Sequence, residues 1–332
     1  MTVLVTGGAG YIGSHTVRQL RAIGRDAVVL DSLELGRADS LLGAPLVVGD
    51  IADAELVRQI CRDHEVDQVV HFAAYKNVGE SMRDPAKYWR NNVSSAIEFV
   101  QTIVEAGVRR FVFSSSCSVY GNPPHVPVSE DSPIRPESVY AQTKAIVEDV
   151  LRWYGTTHGM HSVSLRYFNA AGASSDGAIG EDWTYSQNLI PVVMKAALGV
   201  TGLLEVYGDD YPTADGTCIR DYIHVEDLAD AHVRALDFTG RSDEPVSFAV
   251  NAGTGQGTSV LEVIRLTEEC SGRTVPYRVV DRRQGDPVQT YADVSTASSM
   301  LGWKASRSMR EVIASAWAWH EKSHSSDSNH TS

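Results

Sequence analysis

The chain has little cysteine, no long apolar run and a shortage of basic residues, and each lack removes a class of function. Its four cysteines, Cys61, Cys117, Cys218 and Cys270, show no C-x-x-C or other paired spacing in 332 residues. That argues against a disulfide framework or a zinc ribbon and for free thiols in a reducing compartment. The first apolar run, Val3 to Val5, is only a strand's length and runs into glycines, so neither a signal peptide nor a membrane span is expected. Lysine plus arginine number 29 against 42 aspartates and glutamates, a formal charge of −13, which speaks against a nucleic-acid or acidic-membrane partner. A soluble, cytoplasmic protein is expected, and an anionic small ligand stays open where a few arginines gather. No internal repeat or long structureless linker is evident.

What is present is a rhythm. With 43% hydrophobic residues the chain can bury a full core, as one large domain or two closely packed ones. "TVLVT", the helical spacing of "YIGSHTVRQLRAIG" and "DAVVLD" make one βαβ unit. The alternation continues through "APLVVGD", "DAELVRQICRDH", "VDQVVHFAA", a helix from about Asn92 to Ala106, "RRFVFSSS", a helix around Tyr140 to His158, and "HSVSLRYFN". Apolar strands alternating with amphipathic helices predict a parallel α/β sheet covered on both faces. After Asn169 the pattern loosens, so a smaller lobe is expected over 171–322, with a segment at about 217–240 returning to the first unit of residues 1–170. "SHSSDSNHTS" reads as a flexible polar tail over 323–332.

Gly8-x-Gly10-x-x-Gly13 fits a dinucleotide fingerprint, and Gly7, Gly10 and Gly13 fit the related T-G-x-x-G-x-x-G spacing after Thr6. The loop follows a strand and opens a helix, which suits a pyrophosphate at a helix N-terminus; a plain strand-to-helix turn is the alternative. Asp31, at the end of the next strand, is placed to accept from adenosine ribose hydroxyls and to repel a 2′-phosphate, favouring NAD over NADP. It could instead be a turn residue of "DSLELG". Asp50 and Ile51 follow the third strand, where adenine contacts belong. Tyr140 and Lys144 are four apart on one helix face. A phenol with a pKa of about 10 is a poor base unless a nearby cation stabilises its phenolate. Ser116, ending "FVFSSS", can share the same substrate oxygen, so the three make a proton-transfer site beside a hydride acceptor.

The set "TGGAGYIG", "HFAAYKNVGES", "FSSSCSVYG", Tyr140-x-x-x-Lys144 and "LRYFNAAG" resembles the extended short-chain dehydrogenase/reductases. "YGDDYPTADGTCIRDYIHVEDLADAH" narrows the resemblance to the UDP-glucose 4-epimerases, and it runs from Thr2 to about Trp319. It implies a Rossmann-type doubly wound parallel sheet with a smaller α/β substrate-binding lobe, bound NAD, a UDP-sugar substrate and a homodimer through two helices per subunit. The implied chemistry is C4 epimerisation through a transient 4-keto sugar, with Tyr140 as base, Lys144 supporting it and binding the nicotinamide ribose, and Ser116 on the 4-oxygen. Gly7, Gly10, Tyr11, Ile12, Gly13, Asp31, Asp50, Ile51, Phe72, Ala73, Ala74, Lys76, Asn91, Ser114, Tyr140, Lys144 and Tyr167 match cofactor positions. Lys76, Ser116, Tyr140, Phe168, Asn169, Asn188, Leu189, Tyr207, Arg220, Arg283, Asp286 and Thr290 match substrate positions. Arginine suits a diphosphate through paired hydrogen bonds, Tyr207 offers a face for uracil, and Asp286 can accept from a ribose hydroxyl.

Departures bound the resemblance. Cys117 and Ser118 stand where many epimerases carry Ala and Thr, and no carboxyl is present there to drive the dehydration of a related branch. A dehydratase or reductase, or a non-catalytic NAD-binding regulator, are the alternatives. Tyr75 and Asn77 also differ from the commoner form. Thr290 matches a position where a bulky aromatic restricts the sugar, so a 2-acetamido group is expected to fit. "HEKSH" from His320 matches a zinc motif in letters only, and a solvated helix face with no metal is expected.

Overall fold

The computed structural model describes residues 1–184, 186–241, 244–283 and 285–330, the side chains of 326–330 excepted. Six strands come in the first half of the chain: β1 (Thr2–Thr6), β2 (Asp26–Asp31), β3 (Leu46–Val48), β4 (Val66–His71), β5 (Arg110–Ser114) and β6 (His161–Tyr167). Helices α1 (Tyr11–Ala22), α2 (Ala54–Asp63), α3 (Val78–Arg83), α4 (Pro85–Tyr88), α5 (Ala96–Glu105) and α6 (Val139–His158) lie between them. The six strands pair in parallel, with β1 between β2 and β4, β3 at one edge and β6 beyond β5. A seventh, Ser247–Ala252, adds in parallel to β6.

The strands carry apolar residues on both faces because both are covered. Successive side chains point to opposite faces, so Val3, Val5, Ala27, Val29, Val70 and Val112 enter one core with α1 and the helix Val225–Thr239. Leu4, Val28, Leu30, Val69, Phe111 and Phe113 enter the other, with α2, α5 and α6. Each such burial contributes about 1.5–3 kcal/mol. Helix Val225–Thr239 lies against α1, inside the segment expected to return to the first unit. The strand Ser247–Ala252 was not expected from the sequence; half of it is only partly buried, which leaves a weak apolar signature at that edge.

Two further differences concern helices. The helix expected from about Asn92 begins as a π-helical turn, Trp89–Ser95, before α5. The last helix, Met309–His330, runs on through the segment read as a polar tail, and Thr331 and Ser332 lie outside the described residues. Among the described residues no helix is long and apolar enough to cross a membrane.

Beyond β6 a third core forms from Ile190, Val193, Met194, Val263, Ile264, Ile313 and Trp317, joining helices Leu189–Ala197, Val260–Ser271 and Met309–His330. Asp221 ties this region to the sheet. It is fully buried, and it accepts from Thr254 N at 2.9 Å, Thr254 Oγ1 at 2.6 Å, Gly255 N at 3.0 Å and Ala292 N at 3.1 Å. An amide cannot accept at both ends. Asp221→Asn therefore turns an NH₂ onto at least one backbone N–H, and a loss of about 3 kcal/mol of stability is expected in denaturant melts.

Candidate active site

The carboxyl ends of the strands carry the site, beginning with the turn after β1. Gly7 sits at φ +69°, and a Cβ there would lie 2.6 Å from Ala73 N. A Cβ on Gly13 would lie 2.4 Å from Gly7 O. These two glycines let the turns after β1 and β4 touch and let α1 start close beneath them. Gly10 caps α1 with extended backbone and no side-chain hydrogen bond, so the first N–H groups of the helix face whatever lies above them.

Asp31 is buried at the end of β2, where Oδ2 accepts from Ala9 N and Oδ1 from Leu33 N, both at 2.9 Å. It is thus a turn residue and a groove wall at once, since each carboxylate oxygen keeps acceptor capacity. One groove gathers all the cofactor candidates: the glycine turn with Tyr11 and Ile12, then Asp31, Asp50, Ile51, Phe72, Ala73, Ala74, Lys76, Asn91, Ser114, Tyr140, Lys144 and Tyr167. A phosphate cradle at a helix start, an acidic residue at the end of β2 and an apolar wall fit an NAD-type dinucleotide.

Other groove residues escaped the sequence reading. The Tyr75 hydroxyl donates to Glu34 Oε2 at 2.6 Å, joining the loop after β2 to the loop after β4. Lys87 Nζ lies 3.9 Å from the Tyr75 ring. Asn92, one position beyond the expected Asn91, accepts from Tyr75 N and donates to Tyr75 O, both at 2.9 Å. Glu181 is buried and accepts from Ser186 Oγ at 2.9 Å and Asn188 Nδ2 at 3.3 Å, with Lys76 Nζ at 3.7 Å. Only Tyr75 carried a signal, as a departure from the commoner family pattern.

Tyr140 and Lys144 face inward from α6, only 6% and 3% exposed. Ser138 caps the helix by accepting from Ala141 N at 3.2 Å, and Tyr140 N donates to Ser81 Oγ at 3.1 Å. Lys144 Nζ donates to Ser114 O at 2.8 Å and lies 5.9 Å from the Tyr140 ring centre. Ser116 and Tyr167 both act on the Tyr140 hydroxyl, and Ser116 Oγ accepts from Ser118 Oγ at 2.9 Å.

The electrostatics correct one expectation. Burial is the largest influence on Tyr140 and raises its pKa well above 10, with Ser116 acting in the opposite direction. Burial also lowers Lys144 to about 7, opposed by the Glu148 carboxylate. Lys144 by itself does not make the phenol acidic. Withdrawal from water penalises phenolate and ammonium alike.

Apart from Lys76 and Tyr140, which line the groove, the substrate candidates fall outside its walls and in separate groups. Arg220 Nη2 pairs with Asp286 Oδ1 at 3.0 Å, and Thr290 sits opposite Arg220 in a parallel strand pair. The Arg283 guanidinium lies 3.9 Å from the Tyr207 ring centre, while the Tyr207 hydroxyl donates to Glu205 Oε2 at 2.9 Å. Asn169 Nδ2 donates to Asp221 O at 2.9 Å. Asn188 caps the helix that Leu189 begins, and Phe168 is buried with Val119, Tyr120, Val128 and Ala292. The zinc-like run is corrected too. His320 is buried rather than solvated and stacks on Trp183 at 4.6 Å with an 8° interplanar angle. Among the described residues no cluster of metal-ligating side chains occurs.

Residues 3–253 match the family described as NAD dependent epimerase/dehydratase. The UDP-glucose 4-epimerase of Lactobacillus helveticus is 45% identical over 326 residues, 98% of each chain. Among solved structures, a UDP-glucose 4-epimerase from Stenotrophomonas maltophila with bound NAD and formylated UDP-arabinopyranose superposes with a TM-score of 0.94. It is 42% identical and covers 98% of this chain and 99% of its own. The Brucella ovis enzyme in complex with NAD has a TM-score of 0.93 at 42% identity, covering 96% and 97%.

If the glycine turn holds a pyrophosphate, Gly7→Ala should purify with at least about tenfold less dinucleotide. Left-handed strain alone costs roughly 1–2 kcal/mol, and the clash with Ala73 adds to it. Nucleotide released by acid and quantified by chromatography checks this.

Proposed function

This chain belongs to the NAD dependent epimerase/dehydratase family, and from that premise we propose that it interconverts UDP-glucose and UDP-galactose by C4 epimerisation with NAD as its cofactor. The observation that carries the reading is the convergence of Tyr140, Lys144 and Ser116 beside the groove that the glycine turn opens. When bound, NAD supplies the hydride acceptor and donor at C4, so no net oxidation results.

The chain's own groups handle the proton and the orientation. Tyr140 takes the proton from the sugar 4-hydroxyl and later returns it. Ser116, which acts on the Tyr140 hydroxyl, holds the 4-oxygen in place. Lys144 in its protonated form adds positive charge that favours the phenolate over the phenol, alongside that of the cofactor ring. Arg220 and Arg283 take the diphosphate, Tyr207 the uracil face and Asp286 a ribose hydroxyl; Asn169, Asn188 and Leu189 complete that pocket. The pairing of Arg220 with Asp286 keeps both side chains directed before substrate arrives. In this reading residues 1–170 hold the cofactor and 171–322 mainly the UDP-sugar.

The alternative of a dehydratase lacks its acid. Cys117 occupies the position next to Ser116, and burial pushes its thiol up to about 12, too weak to protonate a leaving hydroxyl efficiently. We also propose a cytoplasmic homodimer through the outer faces of α5 and α6, where Ile97 and Trp153 stand 37% and 60% exposed. An apolar surface on two neighbouring helices supports that arrangement.

The direct test incubates the purified protein with UDP-glucose and no added cofactor, and separates the epimers. Turnover is expected, and Tyr140→Phe should lower kcat about a thousandfold, within the range for a lost general base, while keeping its bound NAD. A Tyr140→Phe protein with unchanged turnover would sink the assignment of the base.

Thr290 bears on the sugar. It is buried, and its hydroxyl has no hydrogen-bond partner, so a short side chain occupies a place where an aromatic would project further. The parent is expected to epimerise UDP-GlcNAc as well, and Thr290→Tyr to lose that activity by at least about tenfold while keeping UDP-glucose turnover, one such clash exceeding 1.4 kcal/mol. Equal rates on UDP-GlcNAc for the two proteins refute the gate.

A further inference from the structure

Lys144 and Glu148 stand one turn apart on α6, and each holds a different residue of the same turn. Lys144 Nζ donates to Ser114 O at 2.8 Å, and Ser115 Oγ donates to Glu148 Oε1 at 2.5 Å. Ser116 follows directly, so its backbone is set by the two contacts before it. Glu148 is itself pinned from β6: Arg166 Nη2 donates to Oε2 at 2.6 Å, and Nε lies 3.1 and 3.2 Å from the two carboxylate oxygens. Arg166 Nη1 donates to the Tyr120 hydroxyl at 2.9 Å, which donates to Asn251 Oδ1 at 2.8 Å. The ion-paired side chains are 9% and 11% exposed. A buried pair of this kind contributes little net stability over apolar packing, so its presence behind the site calls for another role.

The groups around Lys144 define that role. From α6 come Tyr140 and Glu148, from β5 the Ser114 carbonyl and the Phe113 ring at 4.7 Å. From β4 comes His71, which burial and the Lys144 charge hold neutral at a pKa of about 3. From β6 come the Tyr167 phenol and Arg166, whose charge Glu148 meets. Glu148 is the anion that opposes the loss of the Lys144 proton in this buried setting.

We propose that Glu148 is a positioning residue for the epimerisation: through Ser115 it sets the place of Ser116, and from one helical turn away its carboxylate balances the Lys144 ammonium. This rests on the reading of Ser116, Tyr140 and Lys144 given above. The sign follows from electrostatics. Removing the carboxylate charge lets Lys144 lose its proton at lower pH, so activity that needs the ammonium is lost earlier as pH rises.

The test compares pH profiles of kcat on UDP-glucose for the parent, Glu148→Gln, Glu148→Asp and Ser115→Ala. Glu148→Gln should move the alkaline limb down by about one pH unit, the usual scale for removing one close charge. Glu148→Asp keeps the charge and should leave the limb in place while kcat falls, because the shorter side chain releases Ser115. Ser115→Ala should lower kcat about tenfold with KM unchanged, as for one lost positioning hydrogen bond. A readout independent of turnover is the ultraviolet tyrosinate titration, taken as the difference from Tyr140→Phe; Lys144 is neutral before Tyr140 ionises, so removing the Glu148 anion should shift it to lower pH. A folded Glu148→Gln protein whose limb and tyrosinate titration coincide with the parent's overturns the proposal. If that variant does not fold, Ser115→Ala decides: parental kcat overturns the proposal and the tenfold loss supports it. Turnover by Tyr140→Phe would defeat the underlying catalytic reading, whereas an inactive Tyr140→Phe with a parental Glu148→Gln profile defeats this inference alone.

Discussion

An ammonium group drawn out of water beneath the carboxyl edge of a parallel sheet is the constraint around which the site is arranged. Lys144 is 3% exposed and meets a backbone carbonyl and an aromatic ring, with the charge of a carboxylate one helical turn on. Each contact offsets part of the desolvation that burial imposes on a charge. The helix that presents it is held by the Ser138 cap and by Ser81 on Tyr140 N. Thr143, on the same helix, accepts from Asn92 Nδ2 at 3.3 Å, which places the π-helical turn against α6. The extra residue of that turn brings Asn92 to the backbone of Tyr75 at the groove mouth.

Burial acts on the phenol as it acts on the ammonium. Tyr140 is pushed toward its neutral form, and Ser116 only partly opposes this. A phenolate here needs more positive charge than Lys144 brings, and Tyr140 lines the groove where a cationic ring would add it. In the proposed reaction cofactor binding and proton transfer share one low-dielectric space. The pair Glu148–Arg166 extends the coupling to β6 and to the region around Asn251, so the electrostatics of the site are distributed over three strands and one helix.

The division of the molecule serves the same end. The doubly wound sheet is stiff because both its faces are covered by apolar side chains. The later part of the chain is tied to it through Asp221, whose carboxylate gathers the backbone near residues 254 and 292. Thr290 and Arg220 lie on strands beside that anchor. Movement of those strands relative to the sheet would disturb those buried acceptor contacts.

Local pattern sufficed for the alternating strands and helices, because period-2 and period-3.6 apolar spacing states which face is buried before any partner is known. It also sufficed for the glycine turn, where Gly7 and Gly13 occupy places that admit no side chain, and for the sharing of a helix face by Tyr140 and Lys144. What it could not decide depends on residues far apart in the chain. Glu34 meeting Tyr75, Glu181 reaching Lys76, Asp221 collecting two loops and Arg166 pairing with Glu148 are encounters of groups separated by 18 to 105 positions. His320 reads as an exposed helix residue until Trp183 is brought against it. The direction of the Tyr140 pKa was likewise a tertiary matter, since spacing tells which charges are near but only the packed structure tells how much water has been removed.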